Sequence, residues 1–242
     1  MKNIILLSLL IILLKINCLS QTEIFFEDFQ NIGLEIPSSF TIVDNDGLNP
    51  HSSVNEYNSA WIAIPDPFDN GNSNQLASST SYFDPIGEAD RWLITPGISL
   101  GQFGNILSWE AQSHDPSFPD GYYVLVSETD TELTSFSDTL AYVYAEIADS
   151  LNYNEVNISE FGYNNQTIYI AFVNRTNNGF KLYLDNIRVV KEDPIGINEL
   201  NNTPKELIKI VDVLGRETPF KPNTPLLYIY NNGTVERKMI IE

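Results

Sequence analysis

The chain has 242 residues, of which 43% are hydrophobic and 12% are aromatic. This composition is typical of a globular protein and argues against a disordered chain. The 32 acidic residues outnumber the 13 basic residues and give a formal net charge of -19. Such a charge disfavours nucleic acid and anionic membranes as partners and favours divalent cations, although it can also serve only to keep the protein in solution.

Residues 1–20 are predicted to be a secretory signal peptide. Lys2 precedes an apolar run over residues 4–14, and a small-residue segment ending at Ser20 provides a cleavage site. The run has about half of the roughly 20 residues that span a bilayer, so the mature protein is expected to have no transmembrane span. Cleavage would remove Cys18, the only cysteine, and leave neither a disulfide nor a thiol nucleophile. A lipoprotein signal that is acylated on Cys18 is the alternative.

Residues 21–190 are predicted to form an all-β domain, an antiparallel two-sheet β-sandwich of the jelly-roll type. Runs of β-branched and aromatic residues recur between clusters of Asn, Asp, Gly, Pro and Ser, and no window keeps a helical period. Leu107, Trp109 and Ala111 alternate with polar residues, as in a strand with one face in the core and one in water. The predicted strands are 24–29, 39–43, 60–64, 92–95, 105–111, 122–127, 139–147, 167–174 and 180–190, with long loops at 44–58 and 66–74.

A polar linker is predicted at residues 191–203, followed by a small β-strand unit over residues 204–242. Its predicted strands are 207–213, 226–230 and 235–241. The segment 209–216 (KIVDVLGR) and the closing segment 238–241 (KMII) resemble the C-terminal sorting domain of the type IX secretion system. In the Asp-x-x-Gly-Arg element, Gly215 is expected to supply a positive φ in a β-turn. The resemblance implies export by the type IX secretion machinery of a Gram-negative bacterium, with release or anchoring at the outer cell surface.

Three further segments follow one another along the main domain: 26–29 (FEDF), 90–96 (DRWLITP) and 184–189 (LDNIRV). Their order and spacing resemble the cleaved-adhesin or choice-of-anchor J family, which are relatives of the MAM-like jelly rolls. The resemblance covers residues 21–190. It implies a jelly-roll β-sandwich of a kind that commonly carries structural calcium.

Four acidic residues in these segments are predicted calcium ligands: Glu27, Asp28, Asp90 and Asp185. Each lies beside large apolar residues, and a carboxylate held against a core is costly unless it is paired or binds a metal. Carboxylate oxygens suit calcium, the ion that the resemblance also implies. The alternative is that these carboxylates cap loops or pair with nearby arginines.

The segment 44–47 (DNDG) looks like the start of a calcium-binding loop. The twelfth residue counted from Asp44 is Asn55 and not Glu, so the loop is not an EF-hand. An Asx-type turn is the favoured interpretation.

Nucleophilic catalysis has little support in the sequence. His51 and His114 are the only histidines, both in loop-like sequence, and neither a G-x-S-x-G nor an H-E-x-x-H pattern occurs. A glycosidase needs two carboxylates in one cleft, and 32 acidic residues do not single out such a pair.

Four aromatic residues in predicted loops or strand ends are candidates for ligand binding: Trp61, Tyr82, Phe118 and Tyr122. Their rings could stack on sugars or peptide side chains, or pack against the rim of the sandwich. We therefore expect a non-catalytic, adhesin-like and calcium-stabilised module, secreted or displayed at the cell surface, that binds a glycan or an extracellular protein. The alternatives are a carbohydrate-active enzyme, such as a glycosidase or a lyase, on the same scaffold and a structural surface protein.

Overall fold

The structure, a computed structural model, describes residues 20–30, 33, 35–69, 71, 73–193, 206–231 and 233–240. Apart from Ser20, the predicted signal peptide lies outside these residues, as do positions 194–203 of the predicted linker. Residues 1–194 and 195–242 form two separate compact units. No described residue belongs to a helix that is both long and apolar enough to cross a membrane.

The first sheet of the larger unit is built around one long strand. Its strands are β1 (Ser20–Glu27), β3 (Ile62–Pro65), β4 (Gln75–Thr80), β7 (Ile106–Ser113), β10 (Asn152–Asn157) and β12 (Lys181–Asp193). The order is β10-β7-β12-β4-β3, and all pairs are antiparallel. One edge of β12 pairs with β7, while the other edge pairs with β4 over residues 181–184 and with β1 over residues 187–193.

The second sheet packs against the first. Its strands are β2 (Thr41–Asp44), β5 (Arg91–Ile94), β6 (Ile98–Ser99), β8 (Tyr122–Ser127), β9 (Asp138–Val143) and β11 (Thr167–Asn174). The order is β2-β5-β11-β8-β9, with β6 paired to β11, and again every pair is antiparallel. Short 3-10 helices occur at Ser52–Val54, Leu133–Ser135 and Ile158–Phe161.

The core lies between the two sheets. Trp109 of β7 and Phe172 of β11 meet edge to face, with ring centroids 5.6 Å apart and ring planes at 70°. Leu107, Trp109 and Ala111 are buried together in this core, as the alternation of β7 predicts. The prediction of an all-β, antiparallel two-sheet sandwich is confirmed.

Each predicted strand of the larger unit has a counterpart, but the sequence did not predict β4, β6 or β10. β4 (QLASST) reads as polar, yet it lies between β12 and β3 and its residues 76–80 are buried. The Ser78 hydroxyl donates to the Leu182 carbonyl oxygen at 3.1 Å, and the Thr80 hydroxyl donates to the Phe180 carbonyl oxygen at 2.6 Å. These bonds allow short polar side chains to occupy a buried strand.

The smaller unit contains β13 (Leu207–Val211), β14 (Leu226–Tyr230) and β15 (Val235–Lys238), which form an antiparallel sheet in that order. The predicted third strand therefore ends at Lys238 and not at residue 241. After β13 the Gly215 nitrogen donates to the Asp212 carbonyl oxygen at 2.9 Å, and Gly215 has a φ of 80°. This confirms the predicted positive φ. Arg216 Nε lies 2.8 Å from Asp212 Oδ2 and closes the turn.

Candidate functional site

A groove of about 640 Å³ lies on the outer face of the second sheet. On β8, Tyr122, Val124 and Val126 belong to the core between the sheets, whereas Tyr123 and Leu125 lie on the opposite face. The walls of the groove come from β8, β9 and β11, from the loop before β8 and from the loop after β11. A concave surface with a mixed apolar and polar lining is the usual form of a ligand site.

Tyrosine rings dominate one wall of the groove. Tyr123 and Tyr142 pair across β8 and β9, and their rings stack with centroids 4.4 Å apart and planes at 23°. Tyr142 is 54% exposed, Tyr144 is 82% exposed and Phe118 is 50% exposed. Because each tyrosine combines a flat apolar face with a hydroxyl group, this wall offers both packing surface and hydrogen-bonding groups to a ligand.

Arg175 is the positively charged residue of the groove, and Asp90 holds it in place. Asp90 Oδ1 lies 3.2 Å from Arg175 Nη1 and also accepts a 2.6 Å hydrogen bond from Trp92 Nε1. Asp90 Oδ2 accepts a 2.7 Å hydrogen bond from Asn45 Nδ2. Glu88, a more exposed partner, lies 3.7 Å from Arg175 Nη2. Asp90 therefore positions the rim of the groove, and the structure does not bring it together with the other predicted calcium ligands.

Of the four aromatic residues predicted to bind a ligand, the structure places Phe118 in the groove and Tyr82 in a smaller adjoining pocket. The prediction is corrected for Trp61 and Tyr122, which are 1% and 0% exposed and belong to the core. Trp61 Nε1 donates to a main-chain carbonyl oxygen at 3.1 Å, and the Tyr122 hydroxyl donates to Glu146 at 2.8 Å. Both polar groups are therefore satisfied inside the protein, and neither ring is open to a ligand.

Tyr123, Tyr142 and Tyr144 are groove residues that the sequence pattern did not predict. The period-two alternation of a strand contained the signal for the first of them, because it places Tyr123 on the face opposite to Tyr122. It could not show which of the two faces is buried.

Glu27, Asp28 and Asp185 lie on or beside neighbouring strands of the first sheet. Burial, together with the charges of Glu110 and Asp28, raises the pKa of the Asp185 carboxyl to about 6. Burial also raises the pKa of Glu27, again with a contribution from Asp28. These carboxylates therefore repel one another across β1, β7 and β12 when they are ionised.

Two residues beside these carboxylates have a left-handed backbone. Phe29 has a φ of 54° and Asn186 has a φ of 49°, a conformation that is uncommon for residues other than glycine and least expected for bulky ones. Glu27 Oε1 accepts a 2.8 Å hydrogen bond from the Phe29 main-chain nitrogen. Asp185 Oδ1 accepts a 2.8 Å hydrogen bond from the Asn186 main-chain nitrogen. Each carboxylate thus holds a strained segment of backbone.

Three oxygen atoms surround the side-chain amide of Gln30. Its amide nitrogen lies 2.7 Å from Asn74 Oδ1, 2.8 Å from the Asp28 carbonyl oxygen and 3.0 Å from the Gln75 carbonyl oxygen, which are three acceptors for two hydrogens. Asn74 Nδ2 donates to Asp185 at 3.1 Å. Within the described ranges, no three acidic, histidine or cysteine side chains are gathered so that they could hold a metal. Calcium here would therefore need neutral amide and main-chain oxygens as well as carboxylates.

The segment 44–47 forms an Asx-type turn, as the favoured interpretation predicted. Asp44 Oδ1 accepts a 3.0 Å hydrogen bond from the Gly47 main-chain nitrogen. The side chain of Arg91 is 1% exposed, and its Nε lies 3.2 Å from Asp46 Oδ2. The acids of this loop are therefore compensated by a buried arginine.

The two histidines have structural surroundings. His114 Nδ1 lies 2.6 Å from the Tyr183 hydroxyl, and the imidazole packs against the ring of Phe180 with centroids 5.2 Å apart. Burial lowers the pKa of His114, and Lys181 lowers it further. His51 Nδ1 accepts a 3.2 Å hydrogen bond from the Ser53 main-chain nitrogen and so caps the 3-10 helix Ser52–Val54. Neither imidazole lies in the tyrosine-lined groove.

The fold and the groove define a class of module, an antiparallel β-sandwich with an aromatic groove on the outer face of one sheet. A family model described as Cleaved Adhesin Domain matches residues 22–189. The match covers more than half of the chain, and the chain therefore belongs to the Cleaved Adhesin Domain family.

Two curated relatives come from Porphyromonas gingivalis. Hemagglutinin A is 29% identical over 126 residues, which are 50% of this chain and 4% of that protein. Lys-gingipain W83 is 28% identical over 126 residues, which are 50% of this chain and 7% of that protein. The matched region is thus a small part of either relative.

Two solved structures show the same fold. The K3 cleaved adhesin domain of Lys-gingipain from P. gingivalis W83 matches with a TM-score of 0.53 and 24% identity, over 71% of this chain and 99% of that domain. The K1 cleaved adhesin domain of the same protein matches with a TM-score of 0.53 and 20% identity, over 72% of this chain and 99% of that domain.

Proposed function

We propose that this chain is a non-catalytic adhesin module that is secreted or displayed at the cell surface, and that its groove binds a glycan. Membership of the Cleaved Adhesin Domain family supports the adhesin assignment. The observation that carries the ligand assignment is the stacked Tyr123–Tyr142 pair with the open ring of Tyr144 beside it.

A sugar ring matches this surface chemically. It has an apolar face of C–H groups that packs on an aromatic ring, and a rim of hydroxyl groups that needs hydrogen-bond partners. The groove provides the rings of Tyr142 and Tyr144, and Arg175, Asn177 and Asn178 line it with polar groups. One surface therefore offers both kinds of contact to one ligand.

The charge of the groove favours an uncharged glycan. Arg175 is already paired with Asp90 and Glu88, so its charge is compensated before any ligand arrives. The net charge of the whole chain is -19, which repels anionic polymers at low salt. Uronic acid polymers and sulfated glycans are accordingly expected to bind more weakly than neutral ones.

An array of glycans and matrix proteins, probed with the protein and its variants, tests the proposal. Tyr142→Ala and Tyr144→Ala should each weaken binding to a neutral glycan by about tenfold, because each removes an exposed aromatic contact. Tyr153→Ala is the matched control, since Tyr153 is 60% exposed but lies on β10 of the first sheet. Unchanged affinity in both groove variants would refute the groove as the site.

The same array hits distinguish binding from turnover. Any glycan that binds is incubated with the protein and assayed for new reducing ends. A binding module leaves the glycan intact, whereas a glycosidase or lyase on this scaffold would release sugar ends at a rate proportional to protein concentration.

We further propose that calcium stabilises the sandwich at Asp185, with Asp28 and the neutral oxygens of Asn74 and Gln75 as additional donors. The raised pKa of Asp185 and the convergence of oxygens on Gln30 support this site. Calcium at about a hundredfold its Kd should stabilise the fold by about 3 kcal/mol. Asp185→Asn should lose this gain, while Asp149→Asn, at an exposed loop position, should keep it. If the parent protein unfolds at the same midpoint in calcium and in chelator, calcium does not stabilise the sandwich.

The third proposal is that residues 204–242 direct export through type IX secretion machinery. The turn from Asp212 to Arg216, with Gly215 at a φ of 80°, supports it. In a host with that machinery, the full chain should reach the cell surface or the medium, and a chain ending at residue 203 should stay inside. Equal export of both chains would contradict the proposal.

A further inference from the structure

A second pocket, of about 410 Å³, adjoins the groove and shares Phe118 and Asn178 with it. Its other aromatic rings are Tyr82, from the connection between β4 and β5, and Phe180, directly before β12. Phe118 belongs to the connection between β7 and β8. Three separate loops therefore meet at this pocket, and each contributes one ring.

The rings of Tyr82 and Phe180 are held in place by each other and by neighbouring residues. Tyr82 stacks on His51 with centroids 4.4 Å apart and meets Phe180 edge to face with centroids 6.0 Å apart. The Phe180 nitrogen donates to Asp120 Oδ2 at 2.9 Å, and Asp120 is buried. The walls formed by Tyr82 and Phe180 are therefore preorganised and do not need to be assembled by a ligand.

Asp115 supplies the charge of this pocket. Its Oδ1 accepts a 2.7 Å hydrogen bond from the Ser117 main-chain nitrogen, and this bond fixes the orientation of the carboxylate. Among the described residues that line the pocket, none is basic. The combination of three aromatic rings with one carboxylate is suited to a cation, because ring faces and carboxylate both attract positive charge.

Phe180 already shows this chemistry on the protein itself. The Lys181 ammonium lies 5.2 Å from the centre of the Phe180 ring and is paired with Glu56 at 2.8 Å. Ile86, which is 63% exposed, extends the apolar wall of the pocket. A lysine or arginine stem can pack along such a wall while its charged end reaches the carboxylate.

We propose that the pocket formed by Tyr82, Phe118, Phe180 and Asp115 binds a basic side chain of a partner protein. Charge complementarity selects this occupant, since the pocket carries a carboxylate and the chain has a net charge of -19. The pocket lies next to the groove but takes a different class of ligand. A partner protein can thus insert a lysine or arginine beside a glycan bound in the groove.

The test is an NMR titration of the full chain with Nα-acetyl-lysine methylamide and with its neutral analogue, Nα-acetyl-norleucine methylamide. The lysine derivative should shift the amide signals of residues 82, 115, 117, 118 and 178–180, and the norleucine derivative should bind at least about threefold more weakly. Because neither probe contains a sugar, failure of the glycan proposal would leave this result unaffected.

Two variants identify the source of the affinity. Asp115→Asn keeps an oxygen for the Ser117 nitrogen but removes the charge, and Phe118→Leu keeps apolar bulk but removes the ring. Each should weaken lysine binding by about threefold to tenfold, while Asp149→Asn, which removes the same charge from an exposed loop position, should not. Equal binding of the two probes, unchanged affinity in both pocket variants, or shifts confined to other residues would overturn the proposal.

Discussion

Arg175 Nη1 lies 3.2 Å from Asp90 Oδ1, so an acid of the β5 segment fixes a side chain of the groove from 85 positions away. The same oxygen accepts a 2.6 Å hydrogen bond from the Trp92 indole nitrogen. One carboxylate thereby connects the apolar outer face of the second sheet to the polar rim of the groove. Its observed role is positioning, and Arg175 and the Trp92 indole are the partners of this carboxylate.

Asp90→Ala should therefore affect both stability and ligand binding. The variant leaves the Trp92 indole nitrogen without this acceptor and leaves Arg175 with only its more distant partner Glu88. We expect a loss of about 1–3 kcal/mol in the free energy of unfolding. Glycan affinity should fall because Arg175 is no longer held at the rim. Urea unfolding and isothermal titration check the two effects. Glu88→Gln, at a more exposed and more distant partner of Arg175, is the control and should change stability little.

The sequence predicted the sandwich because the runs of β-branched and aromatic residues are long and bounded by turn residues. It missed β4 because Ser78, Ser79 and Thr80 look like loop residues, whereas the carbonyl oxygens that accept from Ser78 and Thr80 lie at Leu182 and Phe180. Local composition cannot reveal a hydrogen-bond partner that lies about a hundred positions away.

The same limit applies to the candidate sites. The aromatic character of Trp61 and Tyr122 predicts binding residues, but aromatic residues also pack well in a core when their polar atoms find partners. Tyr123 is adjacent to Tyr122 and lies on the opposite face of β8. The alternation is visible in sequence, whereas the choice of buried face depends on which sheet packs behind the strand.

Stability should fall as pH rises through about 6 because of Asp120. Burial raises the pKa of its carboxyl to about 6, although Ser81, Asn174 and the Phe180 nitrogen donate to it. The folded protein therefore keeps a proton on Asp120 that the unfolded chain loses near pH 4. The contribution of Asp120 to the free energy of unfolding is thus complete below pH 4 and lost above pH 6. We expect a loss of about 3 kcal/mol from this residue between about pH 4 and pH 7.

Asp120→Asn provides the check on this pH dependence. Urea unfolding across the pH range should show a flatter profile in the variant than in the parent protein, since asparagine does not titrate. Asp149→Asn, at an exposed loop position, should keep the parental profile. A parental slope that persists in Asp120→Asn would assign the effect to another group.

Arg91→Met should be one of the most destabilising single substitutions. The Arg91 side chain is 1% exposed and its partner Asp46 is 3% exposed, with Nε and Oδ2 3.2 Å apart. Removing the cation leaves a buried carboxylate without compensation, which costs about 3–5 kcal/mol. The double variant Arg91→Met with Asp46→Asn should recover part of the loss because the uncompensated charge is gone. Additive effects in a double-mutant cycle would show that the two side chains do not interact.

Gly121→Ala tests how the tyrosine wall is held. A Cβ at this position would lie 2.2 Å from the Tyr144 carbonyl oxygen and 2.6 Å from the Val143 carbonyl oxygen, so the end of β9 must move. Because overpacking of this kind typically costs about 1–3 kcal/mol, we expect lower stability together with weakened glycan binding through displaced Tyr142 and Tyr144.

Gly71→Ala is the matched control for this substitution. A Cβ there would meet nothing closer than Asp69 Oδ1 at 3.4 Å, which is ordinary contact with a side chain that can adjust. It should leave glycan affinity unchanged and alter stability little. If Gly121→Ala also bound glycan with parental affinity, the wall formed by Tyr142 and Tyr144 would not be the ligand surface, since the backbone that carries it cannot remain where it is.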